Sequence, residues 1–234
     1  KRKLSKEVIA AFEIGFSPKE GDFLLSYLPD KIEALVKLGL VGKRDGGDFY
    51  NPFADRIMFP IHDIKGEVVG FGGRIYKKEQ EEGKLAKYVN SKESDAFKKN
   101  QIIYGLERLK KYTFPPILVE GYLDVITMHQ FGFKSTVAQM GTALSELQIK
   151  TLFSKGDEII FCYDKDEAGK KAEAKSIEIA LSIITPQKTL SFINFTEVKD
   201  ADELLNKFGK EEMQKAIEAR LPLHAKIFND LGGE

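Results

Sequence analysis

The stretch "DEIIFCYDKDEAGKKAEAKSIEIALSIITPQKTLSFINF", residues 157–195, decides the reading of this chain. An apolar run ends in two aspartates, Asp164 and Asp166. A long helical pattern follows, and a second apolar run closes the unit. Apolar runs separated by helices imply parallel strands buried on both faces. The same rhythm extends upstream. "PPILVEG" (115–121) reads as a strand and "YLDVITMHQFG" (122–132) as a helix ending at Gly132. "KSTVAQM" (134–140) is a strand, and "SELQIKTLFSKG" (145–156) is a helix capped by Ser145. Downstream, "DADELLNKFGKEEMQKAIEA" (200–219) adds one or two helices.

Residues 1–40 have a different character. They read as short helices broken by turns, with Ser5 as an N-cap for "SKEVIAAF" and further helix starts at "SPKEG" and "PDKIEALV". "RIMFPIHDIKGEVVGFGGRIY" (56–76) reads as a hairpin turning at "DIKGE". "KKEQEEGK" (77–84) is a charged loop, and "SKESDAFKKN" (91–100) is a loop or short helix. The chain is thus an α+β region followed by a Rossmann-like α/β region, with boundaries expected at 1–114, 115–208 and 209–234. The last segment is the start of a helical region.

Composition narrows the function classes. The 234 residues are 42 % apolar, enough for a real core. No apolar run approaches the roughly 18 residues of a membrane span, and the opening "KRKLSKEV", with no apolar stretch after it, is read as no signal peptide. With one cysteine, Cys162, no internal disulfide forms, which points to the cytoplasm. Cys162 sits in an apolar run and reads as core. His62, His129 and His224 are scattered, so there is no zinc set, and His129 falls on a helix surface. The net charge is zero, but residues 1–115 hold 22 Lys/Arg against 17 Asp/Glu, and residues 116–234 hold 14 against 19. The basic half and the acidic half suit different electrostatic tasks.

In parallel sheets, ligands bind beyond the carboxyl ends of the strands. Acidic residues fall at three such ends: Glu120, the pair Asp164 and Asp166, and the pair Asp200 and Asp202. In extended chain, residues i and i+2 point the same way, so each pair is expected to face one point. Carboxylates that face one another repel, and a hard dication removes that cost. Mg²⁺ usually takes one or two carboxylates and keeps water or phosphate elsewhere, so five acids suggest more than one Mg²⁺ or Mn²⁺ position, or one ion with supporting acids. Such a site performs phosphoryl transfer. The competing reading makes Asp166, Asp200 and Asp202 helix N-caps. Glu120, which ends an apolar strand before a glycine, has no such structural use.

"LVEGYLDVITMHQFGF", "AQMGTALSELQIKTL", "IIFCYDKDEAGKKA" and "KDADELL" together resemble the TOPRIM domain of bacterial DnaG-type primases. "RIMFPIHDIKGEVVGFGGR" and "KYVNSKESDAFKKNQIIYGL" resemble the segments that precede TOPRIM in that family. The resemblance covers essentially the whole chain. It implies a DNA-directed RNA polymerase of the primosome that makes short RNA primers on single-stranded DNA from ribonucleoside triphosphates. Glu120, Asp164 and Asp166 match its catalytic and metal-binding acids. Asp200 and Asp202 match its third acidic motif, with Ala201 where that motif carries proline. Arg56, Arg74, Lys87 and Lys99 match the family's basic positions and are expected to meet template or nucleotide phosphates in a basic cleft, and Tyr88 and Asn90 in "KYVNS" are expected to stack on or hydrogen-bond a nucleotide. Gly141 in "MGTALS" reads first as a tight strand–helix turn, with backbone N–H groups of "GT" near a phosphate as the alternative. The family's zinc-ribbon module and helicase-interacting domain have no counterpart here, so the chain reads as a core whose zinc-binding module and replicative helicase engage through other segments. Two rivals remain open: metal-dependent phosphodiester hydrolysis, and a non-catalytic nucleotide- or nucleic-acid-binding module. Retention of all five acids argues against the second.

Overall fold

The computed structural model describes residues 3–20, 23–77, 80, 85–109, 113–140, 144–230 and 232. The charged stretch at 77–84 and the Gly141–Thr142 turn lie largely outside them. Two compact units are formed. One joins Lys1–Val8 to Lys99–Glu234, and the other is Ile9–Lys98. The expected boundary at 114/115 differs from this division, which runs at 98/99.

The chain opens with α1 (Lys6–Ala11). Ser5 caps it, its Oγ accepting from the Val8 N–H at 3.2 Å. The 9–98 unit then carries β1 (Gly15–Ser17), α2 (Phe23–Tyr27) and α3 (Ile32–Lys37). A small hairpin follows, β2 (Gly42–Lys43) with β3 (Phe49–Tyr50). The main sheet is completed by β4 (Arg56–His62), β5 (Val68–Arg74) and β6 (Tyr88–Asn90), in the order β1-β4-β5-β6, antiparallel throughout. The hairpin turn lies where the sequence put it. Asp63 closes it by accepting from the N–H groups of Lys65 and Glu67. Strands β1 and β6 were not legible in the sequence, because three residues are too few to show a period.

The second unit contains β7 (Ile103–Tyr104), β8 (Ile117–Val119), α4 (Tyr122–Gln130), β9 (Thr136–Gln139), α5 (Glu146–Phe153), β10 (Glu158–Phe161), α6 (Glu167–Leu181) and β11 (Thr189–Phe192). It ends with α7 (Ala201–Glu218), β12 (Leu221–Pro222) and α8 (Leu223–Asp230). Sheet order is β12-β11-β10-β8-β9-β7. The four central strands are parallel, and the two-residue edge strands β12 and β7 are antiparallel. The apolar runs are fully buried: Ile117, Leu118, Ile159, Ile160 and Phe161 have essentially no exposed surface. Each such side chain contributes about 1.5–3 kcal/mol by leaving water.

Local signals set the helix ends. Ser145 and Gln148 form a reciprocal capping box at the start of α5. Gly132, at φ 99°, ends the α4 turn in a conformation other residues adopt only with strain. Gly209 breaks α7 with φ 82° and ψ −172°, so the segment is two helical pieces joined at a kink. Cys162 is buried as expected. His129 corrects the surface reading. It is buried, and its Nε2 lies 2.9 Å from the Thr136 carbonyl oxygen. Burial pulls its pKa down to about 4. The side chains Tyr122 to His129 of α4 are buried almost without interruption, so this helix has no polar face to mark.

Candidate functional site

From β8 the chain moves to β9 on one side; from β10 it moves to β11 on the other. The sheet's order therefore reverses between β8 and β10, and that reversal opens a crevice at their carboxyl ends. Glu120 stands one residue past β8, and Asp164 three residues past β10. The Glu120 Oε1 accepts from the Asp164 N–H at 2.9 Å, so the two strand ends are tied together. Gly169 lets α6 approach them. A Cβ there would lie 2.2 Å from the Asp164 carbonyl oxygen and 2.6 Å from Glu120 Oε1.

The electrostatics are strained. Burial raises the pKa of Glu120, and Asp166, Asp200 and Glu173 push it further. Asp164 is pushed up to about 7, first by burial and then by Glu120, Asp124, Asp200 and Asp166. Four strand or helix ends thus bring acids close enough to oppose one another's ionisation.

Three of the five acids also have partners outside the group. Among the described residues no three His, Cys, Asp or Glu side chains are gathered tightly enough to hold an ion unaided. Asp166 is the N-cap of α6, its Oδ1 accepting from the N–H groups of Ala168 and Gly169 at 3.0 and 2.8 Å. Asp200 is the N-cap of α7, accepting from the Glu203 N–H at 2.7 Å and pairing with the Lys199 Nζ at 3.0 Å. Asp202 is buried in the first turn of α7 and accepts from the Thr127 hydroxyl at 2.6 Å. Strand β10 ends at Phe161, so the alternation rule for extended chain no longer governs residues 164 and 166. Of the three acids for which capping is the alternative reading, Asp166 and Asp200 cap and Asp202 does not.

Asp124 was missed. It lies in the first turn of α4, its Oδ2 only 2.8 Å from where a Gly121 Cβ would stand, and its charge acts on Asp164. Its signal was an acid in the first turn of a helix opening at the strand end. Glu173 was also missed. It pairs with Lys226 of α8 at 3.0 Å, both side chains only 12 % exposed.

The basic residues are dispersed. The register Ile57↔Arg74↔Tyr88 puts these three on one sheet face. Arg56 alternates to the other face, where a Gly73 Cβ would meet its Cδ at 3.1 Å. Arg56 is buried, and its Nη1 donates to the Ala86 carbonyl at 2.8 Å. That bond braces the 86 loop. The Arg74 guanidinium lies 5.3 Å from the centre of the Tyr88 ring, and Asn90 pairs with Gly72 in register. Lys87 is exposed. Lys99 belongs to the other unit, where its carbonyl accepts from Gln148 at 3.0 Å.

The family model for the "DNA primase catalytic core, N-terminal domain" matches residues 1–110, and the "Toprim-like" model matches residues 117–205. The chain is 41 % identical over 234 residues to the DNA primase of Rickettsia conorii, covering 97 % of this chain and 38 % of that protein. The E. coli primase catalytic core superimposes with a TM-score of 0.88 at 38 % identity, covering 98 % of this chain and 74 % of that one. A DnaG primase catalytic domain bound to ssDNA gives 0.88 at 37 % identity, covering 98 % and 72 %. Among the described residues no helix is long and apolar enough to cross a membrane.

Proposed function

The chain belongs to the catalytic-core family of DnaG-type primases, and from that premise we propose that it holds the nucleotidyl-transfer centre of an enzyme that copies single-stranded DNA into short RNA primers. The observation that carries this is the pairing of Glu120 and Asp164 at the sheet's switch point, both with raised proton affinity. Acids with raised proton affinity in such a crevice support the reading of a working site.

The donor set suits Mg²⁺ or Mn²⁺. It is all oxygen, partly desolvated and short of compensating charge. Glu120 and Asp164 would hold the ion, with Asp124, Asp166 and Asp200 close enough to add charge. An open set fits this metal class, which keeps positions for water and phosphate. When bound, the ion supplies charge neutralisation for a triphosphate and activates an attacking hydroxyl. The chain's own groups orient the site. The Asp164 N–H aims the Glu120 carboxylate, and the helix N–H groups fix Asp166 and Asp200. Arg74, Lys87, Tyr88, Asn90 and Lys99 are proposed to bind template or ribonucleoside triphosphate. Arg74 and the lysines would do so through phosphate charge.

The test is RNA synthesis on a single-stranded template with ribonucleoside triphosphates and Mn²⁺, read by product length and pyrophosphate release. Synthesis that Asp164→Ala lowers at least a hundredfold supports the proposal. Template degradation without RNA would instead select the hydrolase reading. Synthesis indifferent to Glu120 and Asp164 would overturn the assignment of the site.

A further inference from the structure

We infer that Tyr163 is a positioning residue for the Glu120–Asp164 pair, acting through a buried chain of hydrogen bonds that runs from its hydroxyl to Gln139 and Ser176. The metal that the pair would serve rests on the proposed function; the chain of hydrogen bonds rests on the geometry alone.

Tyr163 directly precedes Asp164, and the peptide unit that joins them carries the N–H that holds the Glu120 carboxylate at 2.9 Å. A peptide unit is planar and turns as one piece. Whatever fixes its Tyr163 end therefore fixes the direction of that N–H. Strand β10 ends at Phe161, so the Tyr163 side chain takes over where regular pairing stops. Its ring stacks on Phe161, with ring centres 5.7 Å apart and planes at 13°. Its hydroxyl donates to Gln139 Oε1 at 2.8 Å and lies 2.8 Å from Ser176 Oγ. Tyr163, Gln139 and Ser176 are all buried.

A hydroxyl has one proton to donate. Tyr163 gives its own to Gln139, so Ser176 donates to Tyr163. The Ser176 Oγ in turn faces the Leu144 N–H at 3.5 Å. The chain thus runs one way, from Leu144 to Ser176 to Tyr163 to Gln139. Gln139 closes β9, Ser176 lies in α6, and Leu144 precedes the cap of α5. Strand β8 stands between β10 and β9. The Tyr163–Gln139 bond therefore joins the two strands that flank the one ending in Glu120. Phenylalanine would fill nearly the same volume without burying a hydroxyl, which is costly to desolvate. A fully satisfied polar network specifies one arrangement of the parts it joins, and here those parts carry the acids.

The experiment uses the whole chain and two readouts, both taken well below the melting temperature: exchange of the Asp164 amide proton by NMR, and Mn²⁺ affinity by titration calorimetry. Tyr163→Phe should speed Asp164 exchange roughly tenfold and weaken Mn²⁺ binding about 10- to 100-fold. It also leaves Gln139 without its donor, which lowers stability. The double variant Tyr163→Phe/Gln139→Met removes both partners and should recover stability, while Asp164 exchange stays fast and Mn²⁺ binding stays weak. Ser191→Ala removes a hydrogen bond to Glu158, the first residue of β10. It should lower stability and leave both readouts parent-like. Parent-like Asp164 exchange in Tyr163→Phe overturns the inference, and so does fast exchange with parent-like Mn²⁺ affinity. Recovery of both readouts together with stability in the double variant also overturns it, since Tyr163 would then act through packing alone. The result is separable from the fate of the proposed function. A parent that binds no Mn²⁺, yet loses protection at Asp164 when the hydroxyl is removed, keeps the positioning and loses the metal site. A parent that binds Mn²⁺ with both readouts indifferent to Tyr163 does the reverse.

Discussion

Asp164→Asn should make the metal-free protein more stable while removing its response to metal. In the folded chain Asp164 holds its proton up to about pH 7, against an ordinary value of 3.8. The folded state therefore binds more protons than the unfolded state between those values, and stability falls as pH rises through that window. It is fully present below about pH 4 and lost above about pH 7. Three pH units correspond to a ceiling of about 4 kcal/mol. Asp164 is only partly buried, so water screens part of this, and about 2 kcal/mol is expected at pH 8. For a chain of this size that is about 4–8 °C in Tm. Asparagine keeps the shape and loses the charge. Calorimetry in EDTA at pH 8 should show Asp164→Asn melting several degrees above the parent, and the gap should close near pH 4, where the parent carboxyl is also neutral. Adding Mn²⁺ should raise the parent's Tm and leave the variant's nearly unchanged, since stabilisation requires binding to the folded state. No gain at pH 8, a gain that persists at pH 4, or equal Mn²⁺ stabilisation of both would refute the reasoning.

Two further outcomes follow from other parts of the same unit. His129 is neutral and buried, with its pKa drawn down to about 4, so the unfolded chain takes up the proton first. Its contribution is present above about pH 6.5 and lost as pH falls toward 4, about 3 kcal/mol at most. Denaturant melts at pH 7 and 4.5 check this, and a His129→Gln variant with the parent's acid sensitivity would count against it. Gly169→Ala would place a methyl 2.2 Å from the Asp164 carbonyl oxygen and 2.6 Å from Glu120 Oε1. Overpacking of about 1–3 kcal/mol outweighs the roughly 1 kcal/mol gained in helix propensity, and Mn²⁺ affinity should fall at least tenfold. Titration calorimetry showing parent-like affinity would mean that the approach of α6 does not shape the acid pair.

The α/β half was readable because its strands are buried on both faces and its helices carry their own stop and start residues. Ile159–Phe161, Ser145 and Gly132 each carry a local signal: an apolar run, a helix cap and a left-handed helix stop. Glu120 was readable for the complementary reason, as a carboxylate where local structure has no use for one. The joint resemblance of the motifs named the family. What spacing alone did not decide is where side chains point once a strand has ended. Asp166 and Asp200 turn to cap helices, because four N–H groups at each helix start need acceptors. Asp202 turns to Thr127, 75 residues away in sequence. Arg56 and Arg74 look equivalent in the sequence, yet the pairing of β4 with β5 sends one into the protein and the other to the open face. His129 reads as polar and is buried, because its partner is a carbonyl supplied by the neighbouring strand. The sequence by itself determined the main elements of the α/β half, the family and the strand ends that carry charge. Only tertiary structure decided which charges meet, since sheet order brings β8 and β10 side by side and the folding of α6 against them raises the proton affinity of Glu120 and Asp164.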